Sequence, residues 1–181
     1  MNELKLTQFI LPVIVLFIVI ACYNYFGNKA SKKRVFKKLI LTICSLAFLF
    51  NVVWEIAQGP LYEGFVYDFG HISLCVLASV ADMLMVLLLY FVFSIFYKQP
   101  YWVNHMTVPK ITSLVFIGGI GAILGELRHV AAESWSYTNA MPTLPFIDVG
   151  LSPVLQFMIL PTLIFMLADY LLKKSTGVDL P

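Results

Sequence analysis

Five stretches of mostly apolar residues run through this chain, at about 6–26, 39–57, 72–97, 108–127 and 149–172. A helix needs about 20 such residues to cross a bilayer, because each residue rises about 1.5 Å. Lipid offers no water to unpaired backbone groups, so segments of this length and composition span as helices. The expected fold is therefore all-α: a polytopic transmembrane bundle of five spans, with residues 1–181 forming a single transmembrane domain. Composition agrees. The hydrophobic share is 60% and the mean hydropathy +0.88, against roughly 45–50% apolar residues in soluble domains.

The first stretch reads as an uncleaved span. A secretory signal places positive charge before its apolar core and a small-residue site after it. Here Lys5 is offset by Glu3, and "NKASKKRVFKK" follows the core with six basic residues and no A-x-A pattern. Cys22, Cys44 and Cys75 all fall within predicted spans. Neither a disulfide framework nor a CxxC metal site is expected.

Basic residues set the orientation, because Lys and Arg collect in cytoplasmic loops. If the loop holding Lys29, Lys32, Lys33, Arg34, Lys37 and Lys38 is inside, five spans also put Lys98, Lys110, Lys173 and Lys174 inside. Only Lys5 and Arg128 remain outside, so the N-terminus is expected outside and the C-terminus in the cytoplasm. The membrane expected is the inner (cytoplasmic) one. Most acids then fall at the outer side without having been used: Glu3, Glu55, Glu63, Asp68, Glu126, Glu133 and Asp148, with Asp82, Asp169 and Asp179 as exceptions. Two external loops, about 58–71 and 128–148, carry Tyr62, Tyr67, Trp135 and Tyr137 and are placed to cover a site.

The polar residues inside the spans are the candidates for function. Asn51, Glu55 and Gln58 are spaced four and three apart, so they share one face of the second span. From the rise of an α-helix, Asn51 lies about 10 Å below the outer end, Glu55 near the surface and Asp82 roughly 15 Å down. His71, Cys75, Ala78 and Asp82 also repeat at helical spacing. A carboxyl group near the bilayer centre costs about 2.5 kcal/mol or more and normally faces the bundle interior or a watery cavity. Gln156 falls about 10 Å below the outer surface, level with Asn51. Asp169 differs, since Lys173 one turn on pairs with it at the inner boundary.

The fourth span ends with Glu126, His129 and Glu133 at helical spacing, provided the helix continues. Glu-x-x-His is half of a di-iron carboxylate pattern, which needs two copies and two further Glu residues. One copy is present and the chain has three His in all. No metal and no other cofactor is expected. Glu126 and His129 instead suit an interfacial hydrogen-bond network or an acid/base site.

Other patterns carry structure. "GGIGAILGE" has Gly119, Gly121 and Gly125 at a dinucleotide-like spacing, but no strand precedes it. Gly121 and Gly125 instead fit close helix packing. His71 and Cys75 are one turn apart, as a thiolate and base would be, but no orienting third residue accompanies them. Trp54, Trp102 and Trp135 fit interfacial aromatic belts, Trp54 also fitting a pocket wall. The basic run touches anionic lipid heads and implies no nucleic acid.

"NVVWEIAQGPLY", "HISLCVLASVAD" and "ELRHVAAESWSYTNAMPTLPFIDVGLSPVLQ" together resemble the successive blocks of small bacterial multi-span membrane proteins: Trp-Glu-x-x-Gln, His-x-x-x-Cys, and Trp-x-Tyr followed by prolines. The likeness spans about 51–156 and implies no activity. A fainter one is to membrane terpene cyclases and carotenoid-modifying proteins, in which Asn-x-x-Trp-Glu sets an acid beside an isoprenoid. It would give Glu55 that role. The chain is shorter than these and lacks the Pro-x-Glu-Glu-type motif of lycopene cyclase domains.

Three functions stay open. The first is an enzyme, or a lipid-binding protein, handling a lipid or isoprenoid at an outer-leaflet pocket by acid catalysis. Glu55 or Asp82 would donate the proton, with Glu126 and His129 as further acid/base groups. Asn51, Gln58 and Gln156 would orient substrate, with His71, Trp54, Trp135 and Tyr137 lining its path. The second is a proton-coupled transporter subunit using Asp82. Five spans without an inverted repeat speak against a lone transporter, an objection that a homo-oligomer would lift. The third is an assembly factor whose outer loops bind a partner. Membrane lipids are partners in every case.

Overall fold

The computed structural model describes residues 7–132 and 134–176. Glu133, assigned above to the face of Glu126 and His129, lies outside the described residues, as do Glu3, Lys5 and Asp179. The fold is all-helical: α1 (Thr7–Lys29), α2 (Lys33–Gln58), α3 (Phe69–Phe96), α4 (Val108–Ala131) and α5 (Leu151–Thr176). All five helices are long and apolar enough to cross a membrane, which makes the chain a multi-pass integral membrane protein. Helices overrun the apolar stretches at their ends. α2 starts at Lys33 and α4 runs to Ala131, because Lys, Arg, Glu and Leu are good helix formers that continue a helix into water.

Local chemistry fixes the ends. The Asp68 carboxylate caps α3 by accepting the backbone N–H of His71 at 2.8 Å, which satisfies one of the free donors at a helix start. That bond, with the His71 ring beside it, holds the Asp68 carboxyl below its ordinary range. Gly59 and Pro60 end α2 in a 3-10 turn, Gly59–Leu61. Pro109 sits in the first turn of α4, where its missing N–H costs nothing.

The helices form a row, α4–α5–α2–α3–α1, each packed on the next. α2 and α5 are thus central neighbours although remote in sequence. The α4–α5 contact corrects the glycine expectation. A Cβ at Gly118 would lie 2.1 Å from the Phe157 carbonyl oxygen and one at Gly119 would meet the Met158 side chain, whereas nothing lies within 4 Å of Gly121 or Gly125. Gly118 and Gly119 face the partner helix, and Gly121 is turned outward.

One end of the bundle is basic. It gathers the α1–α2 link, the 97–107 connection and the end of α5. The Tyr101 hydroxyl donates to the Lys32 carbonyl at 2.9 Å, and Lys173 to the Asn104 carbonyl at 3.3 Å. Lys173 also pairs with Asp169 at 2.8 Å. Trp102 corrects the belt expectation: it is 1% exposed, ringed by Tyr90, Phe93, Tyr97 and Phe165. Its indole N–H donates to the Tyr90 carbonyl at 3.1 Å. The 3-10 turn Trp102–Asn104 folds the indole back under the helices, where its apolar area is worth more than at the interface.

The opposite, acidic end is roofed. Segments 61–68 and 134–150 pair through an isolated antiparallel bridge, Tyr62 to Tyr137. The Glu63 N–H donates to the Ser136 carbonyl at 3.0 Å and the Thr138 N–H to the Leu61 carbonyl at 2.9 Å. The Ser136 hydroxyl adds a bond to the Glu63 carboxylate at 2.7 Å.

Candidate functional site

Beneath that roof, the polar residues of α2, α3 and α5 converge on Gln156. Its Nε2 lies 2.8 Å from Asn51 Oδ1, 3.1 Å from Glu55 Oε1 and 3.0 Å from Asp82 Oδ2. An amide nitrogen has two hydrogens, so three acceptors share two donors. The Glu55 and Asp82 carboxyls, from α2 and α3, thus both lie within 3.1 Å of one nitrogen.

Gln58 closes the network from above. Its Nε2 donates to Glu55 Oε1 at 2.6 Å and to Gln156 Oε1 at 3.2 Å, while the Ser152 hydroxyl donates to Gln58 Oε1 at 2.9 Å. Asn51 anchors its own amide to the Ala47 carbonyl at 2.7 Å. Asn51, Gln58 and Gln156 are all buried; Glu55 and Asp82 are half-buried. Helical spacing explains the geometry. Asn51, Glu55 and Gln58 face α5 together, and Ser152 and Gln156 return the same four-residue step.

Asn51 and Gln156, expected at one level, are in contact. The expectation put Glu55 near the surface, yet it shares one nitrogen with Asp82. The roof covers the top of α2, so the end of that helix is not the edge of the protein, and the Glu55 side chain turns down to the amide.

Glu126 brings α4 to the same end. It is buried and accepts from the Tyr137 hydroxyl and, at 3.3 Å, from the Trp135 indole N–H. Tyr62 packs on both roof aromatics, with ring centroids 6.0 Å from Trp135 and 5.5 Å from Tyr137. Burial pushes the Tyr62 phenol up, and the Glu126, Glu55 and Asp82 carboxyls push it the same way. One roof phenol is thus within electrostatic reach of acids from three helices. Tyr137 is pushed up to about 12, by burial and then by its bond to Glu126.

His129 lies one turn beyond Glu126, as its spacing requires, with its ring stacked 4.2 Å from Trp135 and its Nδ1 3.5 Å from the Ser134 hydroxyl. His71 stands apart, at Asp68 (2.9 Å) and against the Phe65 ring. Cys75 turns instead to the Glu55 carbonyl at 3.8 Å. The thiolate and base arrangement is therefore not formed. Among the described residues, no group of three or more His, Cys, Asp or Glu has a metal-binding arrangement.

No protein family, curated protein or solved structure matches this chain. Function therefore has to be argued from the chemistry of the site.

That chemistry includes two residues that sequence reasoning left out. Ser152 was missed, although its position four before Gln156 was a usable signal. Tyr62 was noted only as a loop aromatic, and nothing in the sequence tied it to Glu126. Trp54 lines a groove of about 580 Å³ between α2 and α5, whose walls also include Gln58 and Ser152.

Proposed function

We propose that this chain is a membrane enzyme acting on a lipid or isoprenoid by acid catalysis, in the outer leaflet of the inner membrane, with its N-terminus outside and its C-terminus in the cytoplasm. The observation that carries the reading is the Glu55–Asp82 carboxyl pair, held on one amide nitrogen of Gln156 beneath an aromatic roof. Two carboxyls this close share a proton because they do not both ionise. The protonated member delivers it to a carbon–carbon double bond of the substrate, and its partner takes a proton from a neighbouring carbon, so the double bond moves. The exchange completes an isomerisation without a further reactant. Asn51, Gln58 and Gln156 orient the substrate, and Trp54 and Trp135 face its apolar body or a developing cation. Glu126, with Tyr137 and His129, forms a second acid/base group at the roof.

The orientation is supported by the segregation of charge: the described basic side chains other than Arg128 sit at the end opposite the network. Transport is the second reading, because a carboxyl pair at this depth also suits a proton carrier. Against it, the basic half of the bundle is a packed aromatic core of Tyr90, Phe91, Trp102 and Phe165. No charged residue follows Asp82 on α3 or stands between Asp148 and Asp169 before and along α5.

The test is untargeted mass spectrometry of lipid and isoprenoid extracts from cells lacking the protein, expressing it, or expressing Asp82→Asn or Glu55→Gln. A species converted only by the intact protein supports chemistry, and its mass gives the reaction type. Identical extracts remove the enzyme reading, and pH-gradient-dependent flux in vesicles would then establish transport.

A further inference from the structure

Ser73, Ser79 and Ser94, inside α3, turn their hydroxyls onto the carbonyls four residues back, of Phe69, Cys75 and Tyr90. Ser152 is the second residue of α5, so no helical carbonyl lies four residues before it. Its hydroxyl crosses to α2 instead and donates to Gln58 Oε1 at 2.9 Å.

That bond has a direction. A side-chain amide offers an acceptor oxygen and a donor nitrogen. With its oxygen held by Ser152, the Gln58 amide presents its nitrogen to Glu55 Oε1 at 2.6 Å and to Gln156 Oε1 at 3.2 Å. The second of these bonds orients Gln156 in turn, leaving its nitrogen to Asn51, Glu55 and Asp82. Asn51 is fixed from its own end, its nitrogen committed to the Ala47 carbonyl. One hydroxyl thus sets the sense of a chain of amides.

The chain serves the two carboxyls unequally. Glu55 Oε1 is within reach of two amide nitrogens, those of Gln58 and Gln156, and the first bond is short, as bonds to ionised acceptors are. Asp82 Oδ2 has one amide nitrogen, that of Gln156, whose two hydrogens Asn51 and Glu55 also compete for. Donors favour the charged form of a carboxyl, so they favour the charge on Glu55. The acceptor left short is then Asp82, which carries a hydrogen of its own. Other titratable neighbours do not even the count. The Cys75 thiol turns to the Glu55 backbone carbonyl, Glu126 is an acceptor engaged by Trp135 and Tyr137, and Tyr62 packs on the rings of the roof.

We infer that Ser152 is a positioning residue that divides the roles of the pair: through Gln58 it holds the charge on Glu55, which makes Asp82 the acid and Glu55 the base. The inference rests on the isomerisation proposed above. In that step the Asp82 O–H bond breaks as a C–H bond forms at one end of the substrate's double bond. Glu55 then takes a proton from the carbon beside the other end, and the electron pair left behind becomes the new double bond. Passage of this proton from Glu55 to Asp82 restores the starting state, so no co-reactant is consumed.

The experiment is infrared spectroscopy of the full chain in lipid nanodiscs at neutral pH, read at the carbonyl stretch of protonated carboxyls. Cell-free synthesis places a heavy-carbon label in the side-chain carboxyl of either aspartate or glutamate. The protonated band should shift with the aspartate label and be lost in Asp82→Asn. In Ser152→Ala the ratio of aspartate to glutamate band should fall about tenfold, the effect of losing a hydrogen bond to a charged group. Gln58→Leu, which removes the relayed donor itself, should do the same, and Ser152→Thr should restore the original ratio. A band that follows the glutamate label in the unaltered protein and disappears in Glu55→Gln overturns the inference. So does a ratio unchanged in both Ser152→Ala and Gln58→Leu. Absence of any protonated band removes the shared proton, and the proposed chemistry with it. An Asp82 band in a protein that converts no lipid sinks the enzymatic reading alone, whereas conversion with the band on Glu55 sinks the division of roles alone.

Discussion

The amide nitrogen of Gln156 lies 3.0 Å from Asp82 Oδ2, so a neutral side chain of α5 holds the carboxyl of α3 that lies deepest in the bundle. Removing that amide leaves the Asn51, Glu55 and Asp82 acceptors short of a donor. Gln156→Leu should lower the unfolding free energy in detergent by roughly 1–3 kcal/mol for each acceptor left unsatisfied. The double variant Gln156→Leu, Asp82→Leu should recover part of the loss, because an apolar pair replaces a half-satisfied network. Thermal unfolding of the four proteins of the cycle reads the coupling. Additive losses would contradict the geometry.

Gly118 should be the intolerant glycine of α4. A methyl group there meets the Phe157 backbone, and overpacking costs about 1–3 kcal/mol. Gly118→Ala should lower the melting temperature, while Gly121→Ala should leave it unchanged or raise it through better helix propensity. Equal effects would show that α4 and α5 do not approach this closely.

Stability should fall with alkali in a defined window. The Tyr137 phenol is raised from 10 to about 12, so it stays neutral in the folded protein where the unfolded chain already ionises. Its contribution is complete below about pH 10 and is lost as pH rises from about 10 to about 12. Urea unfolding across this window should show a decline that is reduced in Tyr137→Phe. An equal decline in both proteins would dissociate Tyr137 from it.

The roof should stay shut during turnover if substrate arrives through the membrane. Glu63 and Ser136 are joined through both backbone and side chain. Glu63→Cys with Ser136→Cys, with the three native cysteines changed to Ala, should form a disulfide on mild oxidation. Conversion of a membrane-borne substrate should survive oxidation. Loss reversed by reductant would place the entrance at the roof.

Much of the fold and part of the site were legible in advance, for a physical reason. Burial in lipid imposes one backbone solution, so five apolar runs give five helices, and a fixed rise per residue sets Asn51 level with Gln156. What sequence periodicity left out depends on neighbours. The turn that buries Trp102 reverses a belt expectation. Which of Gly118, Gly119, Gly121 and Gly125 faces α5 is decided by helix rotation. Glu55 reaches the same nitrogen as Asp82 beneath the Tyr62–Tyr137 bridge, a contact between residues 75 positions apart with no local signature. His71 shares a helical face with Asp82, yet a cap bond to Asp68 at the helix start claims it.

The central pairing of α2 with α5 also sets an order in time. Gln58 and Gln156 are 98 residues apart, so a growing chain makes Asn51, Glu55 and Asp82 long before the residue that satisfies them exists. Until α5 is synthesised, the first three helices hold Asp82 without the Gln156 amide and Glu55 with Gln58 alone, an arrangement costly in lipid. The last helix is therefore the one that completes the donors of the network. A chain stopped after α4 would leave the Asp82 carboxyl without the amide that meets it in the complete bundle.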